Sequence, residues 1–322
     1  MMKEMNVAYA TDFAGECLSA EGLYDTLLRV AKAGFSHIHW CHEWSGDYTY
    51  SVYEMKQIKE WMNELGLKCK GLHATDGCKW AVLSPNPFHY RYPHHNRRNY
   101  TSENEYNRRA GVELIKNRME MAYVLETDAV VLHMMLPYKS FEQDSSFKEK
   151  FYQQVYKSFD ELEAYSRESG VRICVENMTG TPNCHQIEQF DRLFSRYEPE
   201  YLGFCFDTGH GMISGSDSLE LAKRYQQRLY MMHVNDNHGL ISEECFEQAT
   251  EMGKCDEHLN PFKGQVKWEE YAKIVAGSPY KLPIVMEVSK RDANEEEFLR
   301  ESMETGLKIT DMILNYRSGL KN

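Results

Sequence analysis

The stretch Phe204-Cys205-Phe206-Asp207-Thr208-Gly209-His210 joins an apolar run to an aspartate, a tight Thr-Gly step and a histidine. An apolar run of this kind reads as a buried strand. A carboxylate at its end, with an imidazole just beyond, has the types and spacing for metal ligation. The same residues also read as an aspartate capping the next helix and a histidine on a surface loop. Taken alone, the stretch does not choose between the two. Repetition of the pattern does. Other apolar runs end Gly71-Leu72-His73, Val131-Leu132-His133, Cys174-Val175-Glu176-Asn177, Met232-His233-Val234-Asn235-Asp236 and Val285-Met286-Glu287. His210, Asp256 and His258 lie just past such runs. One His or Glu in an apolar run is usually a satisfied core group. Six in register are not, because carboxylates and imidazoles packed together without a cation strand or repel charge. Mixed nitrogen and oxygen donors suit Zn, Mn, Co or Fe(II), and Mg less well.

The elements that must position these residues alternate along the chain. Strand-like runs fall at 6–11, 37–44, 69–75, 129–134, 172–177, 201–207, 229–235 and 283–288. Helical stretches fall at 21–33, 52–65, 106–125, 146–169, 187–197, 218–227, 268–276 and 295–316. Gly34, Gly66 and Gly170 supply stops for the first, second and fourth of these helices. Strict alternation implies right-handed crossovers and a parallel sheet. Eight units without remainder imply an α/β fold closed into a (β/α)8 TIM barrel, one domain over residues 1–322. In such a barrel the strand ends converge on one point. Two long irregular stretches, 76–105 and 236–263, follow strands three and seven and therefore belong on the catalytic face.

Composition narrows the function classes. Of 322 residues, 42% are hydrophobic, enough for a sizeable core. A net charge of −12 disfavours general binding to nucleic acid or to a membrane surface. No segment holds the roughly 18 uninterrupted apolar residues of a membrane span, and residues 1–10 lack a signal-peptide apolar core. Nine cysteines without a CxxC, with Cys41, Cys69, Cys174 and Cys205 inside strand runs, suit a reduced cytoplasmic protein. Phe88-His89-Tyr90-Arg91-Tyr92-Pro93-His94-His95-Asn96-Arg97-Arg98-Asn99-Tyr100 is aromatic and basic in an acidic chain. It could close as a lid over an anionic sugar phosphate or form the contact of a homo-oligomer. A nucleic-acid loop is the weakest of the three readings, and the acidic stretch 241–254 repels phosphate backbones. Lys290-Arg291, just past Glu287, either hold a substrate phosphate or are solvated charge. No P-loop, Gly-x-Gly-x-x-Gly or nucleophile elbow offers another enzyme class a foothold.

Glu176-Asn177, Asp207-Thr208-Gly209-His210, His233-Val234-Asn235-Asp236, Asp256-x-His258 and Glu287 resemble the signatures of the xylose isomerase-like TIM barrels. That superfamily holds sugar and sugar-phosphate isomerases and epimerases, inosose dehydratase-type enzymes and endonuclease IV. The resemblance runs from His73 to Glu287. It implies that Glu176, Asp207, His233 and Glu287 are the metal quartet of the epimerase branch. It implies also that His73, His133, His210, Asp256 and His258 match the additional ligands of the trinuclear zinc site in the endonuclease IV branch, or else touch substrate. Asn177, Lys290 and Arg291 are expected beside the substrate. Glu176 and Glu287 come from strands three apart and should face each other across the barrel mouth. The chain departs from the sugar 3-epimerases in having no arginine within Asp236-Asn237-His238-Gly239, and Lys263-Gly264-Gln265 stands where Gly-Glu-Gly is common. The expected activity is that of a divalent-metal-dependent isomerase or epimerase of a small sugar or sugar phosphate. It would act through an enediolate, with Glu176 and Glu287 as acid and base. The alternatives are an endonuclease IV-like zinc phosphodiesterase and a barrel that has lost catalysis and only binds.

Overall fold

The computed structural model describes residues 6–17, 19–75, 97–215, 218–247, 249–290 and 294–319. Eight parallel strands close into a barrel in chain order. They are β1 (Val7–Ala10), β2 (His37–Trp40), β3 (Lys68–His73), β4 (Ala129–Leu132), β5 (Arg172–Glu176), β6 (Leu202–Asp207), β7 (Leu229–Val234) and β8 (Ile284–Met286). The helices among the described residues are α1 (Ala20–Lys32), α2 (Val52–Glu64), α3 (Glu105–Val124), α4 (Tyr138–Gln143), α5 (Ser145–Ser169) and α6 (Asn183–Arg196). They continue with α7 (Thr208–Ile213), α8 (Ser218–Arg224), α9 (Ala249–Cys255), α10 (Trp268–Ala276) and α11 (Glu295–Gly319). None is long and apolar enough to cross a membrane.

Local sequence explains where the helices begin and stop. Ser51 and Glu54 close a capping box at the start of α2. The Asn104 side chain accepts from the N–H groups of Tyr106 and Asn107 at the start of α3. Helix α5 opens on Asp144 and stops at Gly170, whose φ of 72° would strain a residue bearing a β-carbon.

Strand alternation splits the apolar side chains into two layers. The outer one packs strands against helices and includes Trp40, Leu72, Val130, Phe204, Phe190 and Met303. The inner one fills the barrel with Ala8, Ala129, Val131, Cys174, Cys205, Met231 and Val285. This plug is narrow. A β-carbon at Gly71 would lie 2.7 Å from the Met231 methyl and 3.2 Å from His39 Nδ1.

The structure differs from the sequence reading in three places. Strand β2 ends at Trp40 rather than Trp44, because Glu43 and Gly46 take positive φ (57° and 105°) and turn the chain out of the ladder. Short helices α4, α7 and α9 occupy stretches that carry no long periodic pattern. The stretch 236–263, read from the sequence as irregular, is held at its two ends: the Asp236 carboxylate accepts from the N–H groups of Asn237, Phe262 and Val266 and from Trp268 Nε1 at 2.9–3.0 Å. Most of the aromatic and basic stretch 88–100, and Arg291, lie outside the described residues. Its end is described, and there Tyr100 is buried and donates to the His133 carbonyl at 3.0 Å.

Candidate active site

One residue pair beyond the inner plug, the inward positions turn polar on strand after strand. Val131 is followed at that spacing by His133, Cys174 by Glu176, Cys205 by Asp207, Met231 by His233 and Val285 by Glu287. Asp207 and His233 are direct partners across β6 and β7. His73 ends β3 at the same end of the barrel. Two further residues join them that were not singled out from the sequence. His39 on β2 is fully buried with Nε2 3.2 Å from His233 Nε2. Asp12, just past β1, lines the same cavity as Glu176 and Glu287. The signal for His39 was there in the alternating run His37-Ile38-His39.

The two glutamates meet at one imidazole. Glu176 Oε1 is 3.0 Å and Glu287 Oε2 3.2 Å from His233 Nδ1. The other oxygen of Glu176 lies 3.0 Å from His133 Nε2, and the other oxygen of Glu287 lies 3.1 Å from His73 Nε2. His210 Nδ1 sits 3.4 Å from Glu176 Oε1 and 3.0 Å from the Asn177 carbonyl. Asp256 Oδ1 is 3.2 Å from His258 Nε2 and 3.7 Å from His210 Nε2. The nine residues matched from the sequence therefore form one linked group. The Thr-Gly step makes it possible. Gly209 lets helix α7 start against β7, where a β-carbon would fall 1.8 Å from Asn235 Oδ1.

Burial and charge set the protonation of this group. Burial pushes Glu176 up, but His233, His133 and His210 outweigh it and hold the carboxyl well below its usual range. Glu287 is likewise held low by His233 and His73 against burial. Asp207 goes the other way. Burial raises its carboxyl to about 7, with Glu287 and Glu176 adding to the rise against His210. Burial and the neighbouring His233 and His73 keep His39 neutral. His210 is raised to about 10, since Asp207, Asp256 and Glu176 overcome burial.

Above the group opens a cavity of about 500 Å³ lined by Asp12, Trp44, His73, His133, Glu176, His210, Asp256, His258 and Glu287, with Met135, Met178 and Val288 as apolar flanks. The Trp44 ring stands 5.2 Å from that of His133. The remaining sequence candidates lie aside. Asn177 uses its amide on the backbone of Asp207, donating to the carbonyl at 2.9 Å and accepting from the N–H at 2.8 Å. Lys290 Nζ faces Glu295 Oε2 at 3.9 Å. The donor set fits a divalent cation. Glu176, Asp207 and His233 are buried at one end of the barrel with Glu287, 12% exposed, beside them, and burial together with the two glutamate charges lifts Asp207. Three groups of donors, His73 with His133 and Glu176, His39 with His73 and His233, and His210 with Asp256 and His258, each lie close enough together to hold an ion.

A family described as xylose isomerase-like TIM barrel matches residues 27–309. An uncharacterised protein, y4fM, of Sinorhizobium fredii is 28% identical over 308 residues, 94% of this chain and 93% of that one. Among solved structures, a D-tagatose 3-epimerase-like protein superposes with a TM-score of 0.66 at 18% identity, covering 98% of this chain and 99% of the other. A structure of IolI protein with a bound zinc atom superposes at 0.59 and 14% identity, covering 97% and 99%. At these identities the two structures speak to the fold alone.

Proposed function

The chain belongs to the xylose isomerase-like TIM barrel family, and we propose that it is a divalent-metal-dependent isomerase or epimerase of a small sugar or sugar phosphate. The observation that carries this reading is the pair of glutamates, Glu176 buried and Glu287 nearly so, that both reach one nitrogen of His233. Held low by their histidines, both carboxyls are ionised at neutral pH and available as bases. Glu176 takes a proton from one face of a substrate carbon. Glu287, once it has received a proton through His73, delivers it to the opposite face, or to the neighbouring carbon, with an enediolate between the two steps. His133 and His73, hydrogen-bonded to the two carboxylates, are the routes by which protons return. A cation held by Glu176, Asp207, His233 and Glu287 would polarise the substrate carbonyl and stabilise the charge that develops. His210, Asp256 and His258 offer hydrogen bonds to hydroxyl groups, and Trp44 gives the sugar an apolar wall. Asn177 acts through Asp207, whose backbone it grips. Lys290 lies outside the cavity lining and faces Glu295, so binding of a substrate phosphate by Lys290 and Arg291 requires Lys290 to exchange that partner for substrate.

A second reading has one specific observation behind it. His210, Asp256 and His258 form a donor group of their own beside the quartet. If it also takes metal, the centre is a cluster suited to phosphoester hydrolysis, as in endonuclease IV. The net charge of −12 weighs against a DNA substrate. One experiment separates the two. Protein purified without chelator is analysed for metal, screened with free and phosphorylated ketoses for solvent-proton exchange at carbon, and assayed for cleavage of abasic DNA. We expect about one ion per chain, exchange into at least one ketose and no cleavage. About three zinc ions with cleavage and no exchange would replace the first reading by the second.

A further inference from the structure

We propose that Cys245 and Cys255 form a reversible disulfide, made by hydrogen peroxide and undone by a thiol or phosphine, whose formation displaces Asp256 at the edge of the catalytic cavity. The two sulfurs lie 3.6 Å apart. Both residues are buried, at 2% and 1% exposure, in a small apolar cluster with Ile213, Phe246 and Met252. They come from different turns, a 3-10 helix over Glu243–Phe246 and the end of α9. The Ile241 N–H points at Cys255 Sγ from 3.4 Å and can hold an anionic sulfur as it forms.

The chemistry balances on the peroxide alone. One Sγ attacks the O–O bond, becomes a sulfenic acid, and one water leaves. The second Sγ attacks that sulfur, the S–S bond forms, and a second water leaves. Two thiols and one peroxide give one disulfide and two waters. A small neutral oxidant suits a pair that a bulky one cannot reach. Bond formation draws the sulfurs together by roughly 1.5 Å. Cys255 directly precedes Asp256, and Met252 and Gly253 of the same helix line the cavity. The part of that shift taken up by the Cys255 backbone moves Asp256 and lengthens its 3.2 Å contact with His258. The crosslink is independent of the proposed reaction, while its effect on the cavity rests on the metal reading.

Full-length protein is treated in its folded state with hydrogen peroxide, alkylated, and peptide-mapped without reduction. A peptide joined through Cys245 and Cys255 is expected, removable by a phosphine and absent from C245S and from C255S. Asp256 faces His210, which faces the quartet member Glu176 at 3.4 Å, so in chelator competition zinc affinity of the oxidised protein should fall about tenfold and recover on reduction, while peroxide leaves that of C245S unchanged. Recovery of both residues as alkylated thiols overturns the proposal, as does oxidation confined to the exposed Cys184. A joined peptide with unaltered zinc affinity overturns the link to the cavity. Failure of either form to bind zinc overturns the metal reading instead, and the peptide map then decides the crosslink by itself.

Discussion

Asp207 takes one of the two roles its sequence context suggested, the cap of the next helix, and does so from inside the polar cluster. One oxygen accepts the His210 N–H at 2.6 Å and caps α7, and the other accepts Asn235 Nδ2 at 2.7 Å. The cap and the polar cluster are the same carboxylate, because helix α7 starts where β6 ends. The glutamates differ, since each is bounded almost wholly by imidazoles. Glu176→Gln keeps the shape but removes the negative charge that His133, His210 and His233 surround. Glu287→Gln does the same beside His73 and His233. Each substitution should lower kcat by about a thousandfold or more, as loss of a general base does. Circular dichroism should be unchanged, since neither side chain belongs to the apolar plug. Full turnover in either variant would remove the two-glutamate mechanism. At this scale the sequence was legible where a strand ended in a polar residue. It was silent on Asp12, which lies past β1 on a turn, and on His39, which looked like one of two histidines in a mixed run.

Among the elements, the segment from β7 to α10 depends most on a single residue. Asp236 N–H and C=O pair with Leu259 in an isolated antiparallel bridge at 2.9 and 2.8 Å. Its carboxylate then gathers Phe262, Val266 and Trp268, so the chain that delivers Asp256 and His258 is folded back onto the barrel. His258 adds a strained joint at φ 47°, held by its Nδ1 against the Glu287 carbonyl at 2.9 Å. Asp236→Ala leaves four donors, three of them buried, without their acceptor, and should cost about 3 kcal/mol or more. Thermal unfolding should move down by several degrees, with Asp236→Asn intermediate because one acceptor oxygen survives. An unchanged melting temperature in Asp236→Ala would mean that water or a neighbour replaces the carboxylate. The alternation of strands and long helices was readable because each buries a periodic apolar face. Helices α4, α7 and α9 were not, since six or seven residues hold too few turns to show a period, and contacts remote in sequence stabilise them. The stretch 236–263 looked irregular for the same reason. Its order comes from one aspartate reached by residues more than twenty positions away.

On the scale of the whole molecule, a barrel with two apolar layers closes over one polar centre rich in carboxylates and imidazoles. The outer and inner apolar layers hold the strands, while Glu176, Asp207 and Glu287 crowd one end with low exposure. Asp207 records the strain. Its carboxyl is raised to about 7 in the folded chain against an ordinary value of 3.8. A group raised on folding favours the folded state when protonated, so that contribution is present at low pH and lost as pH rises through about 7. The two glutamates are held low and stay ionised between pH 6 and 8, so they add no slope there. Through Asp207 the metal-free protein should therefore lose stability from pH 6 to pH 8, by up to about 1.4 kcal/mol per pH unit, and His210, raised from 6.5 to about 10, adds a loss of the same sign. On the proposed reading a cation ligated by Asp207 would take the proton's place and remove the Asp207 part of that slope. Added zinc or manganese at about 100 times its Kd contributes roughly 2.7 kcal/mol, and the gain should be larger at pH 8 than at pH 6. Differential scanning calorimetry of chelator-treated protein, with and without metal at both pH values, reads this directly. A gain that is equal at the two pH values, or larger at pH 6, would mean that the ion does not displace the Asp207 proton and binds elsewhere.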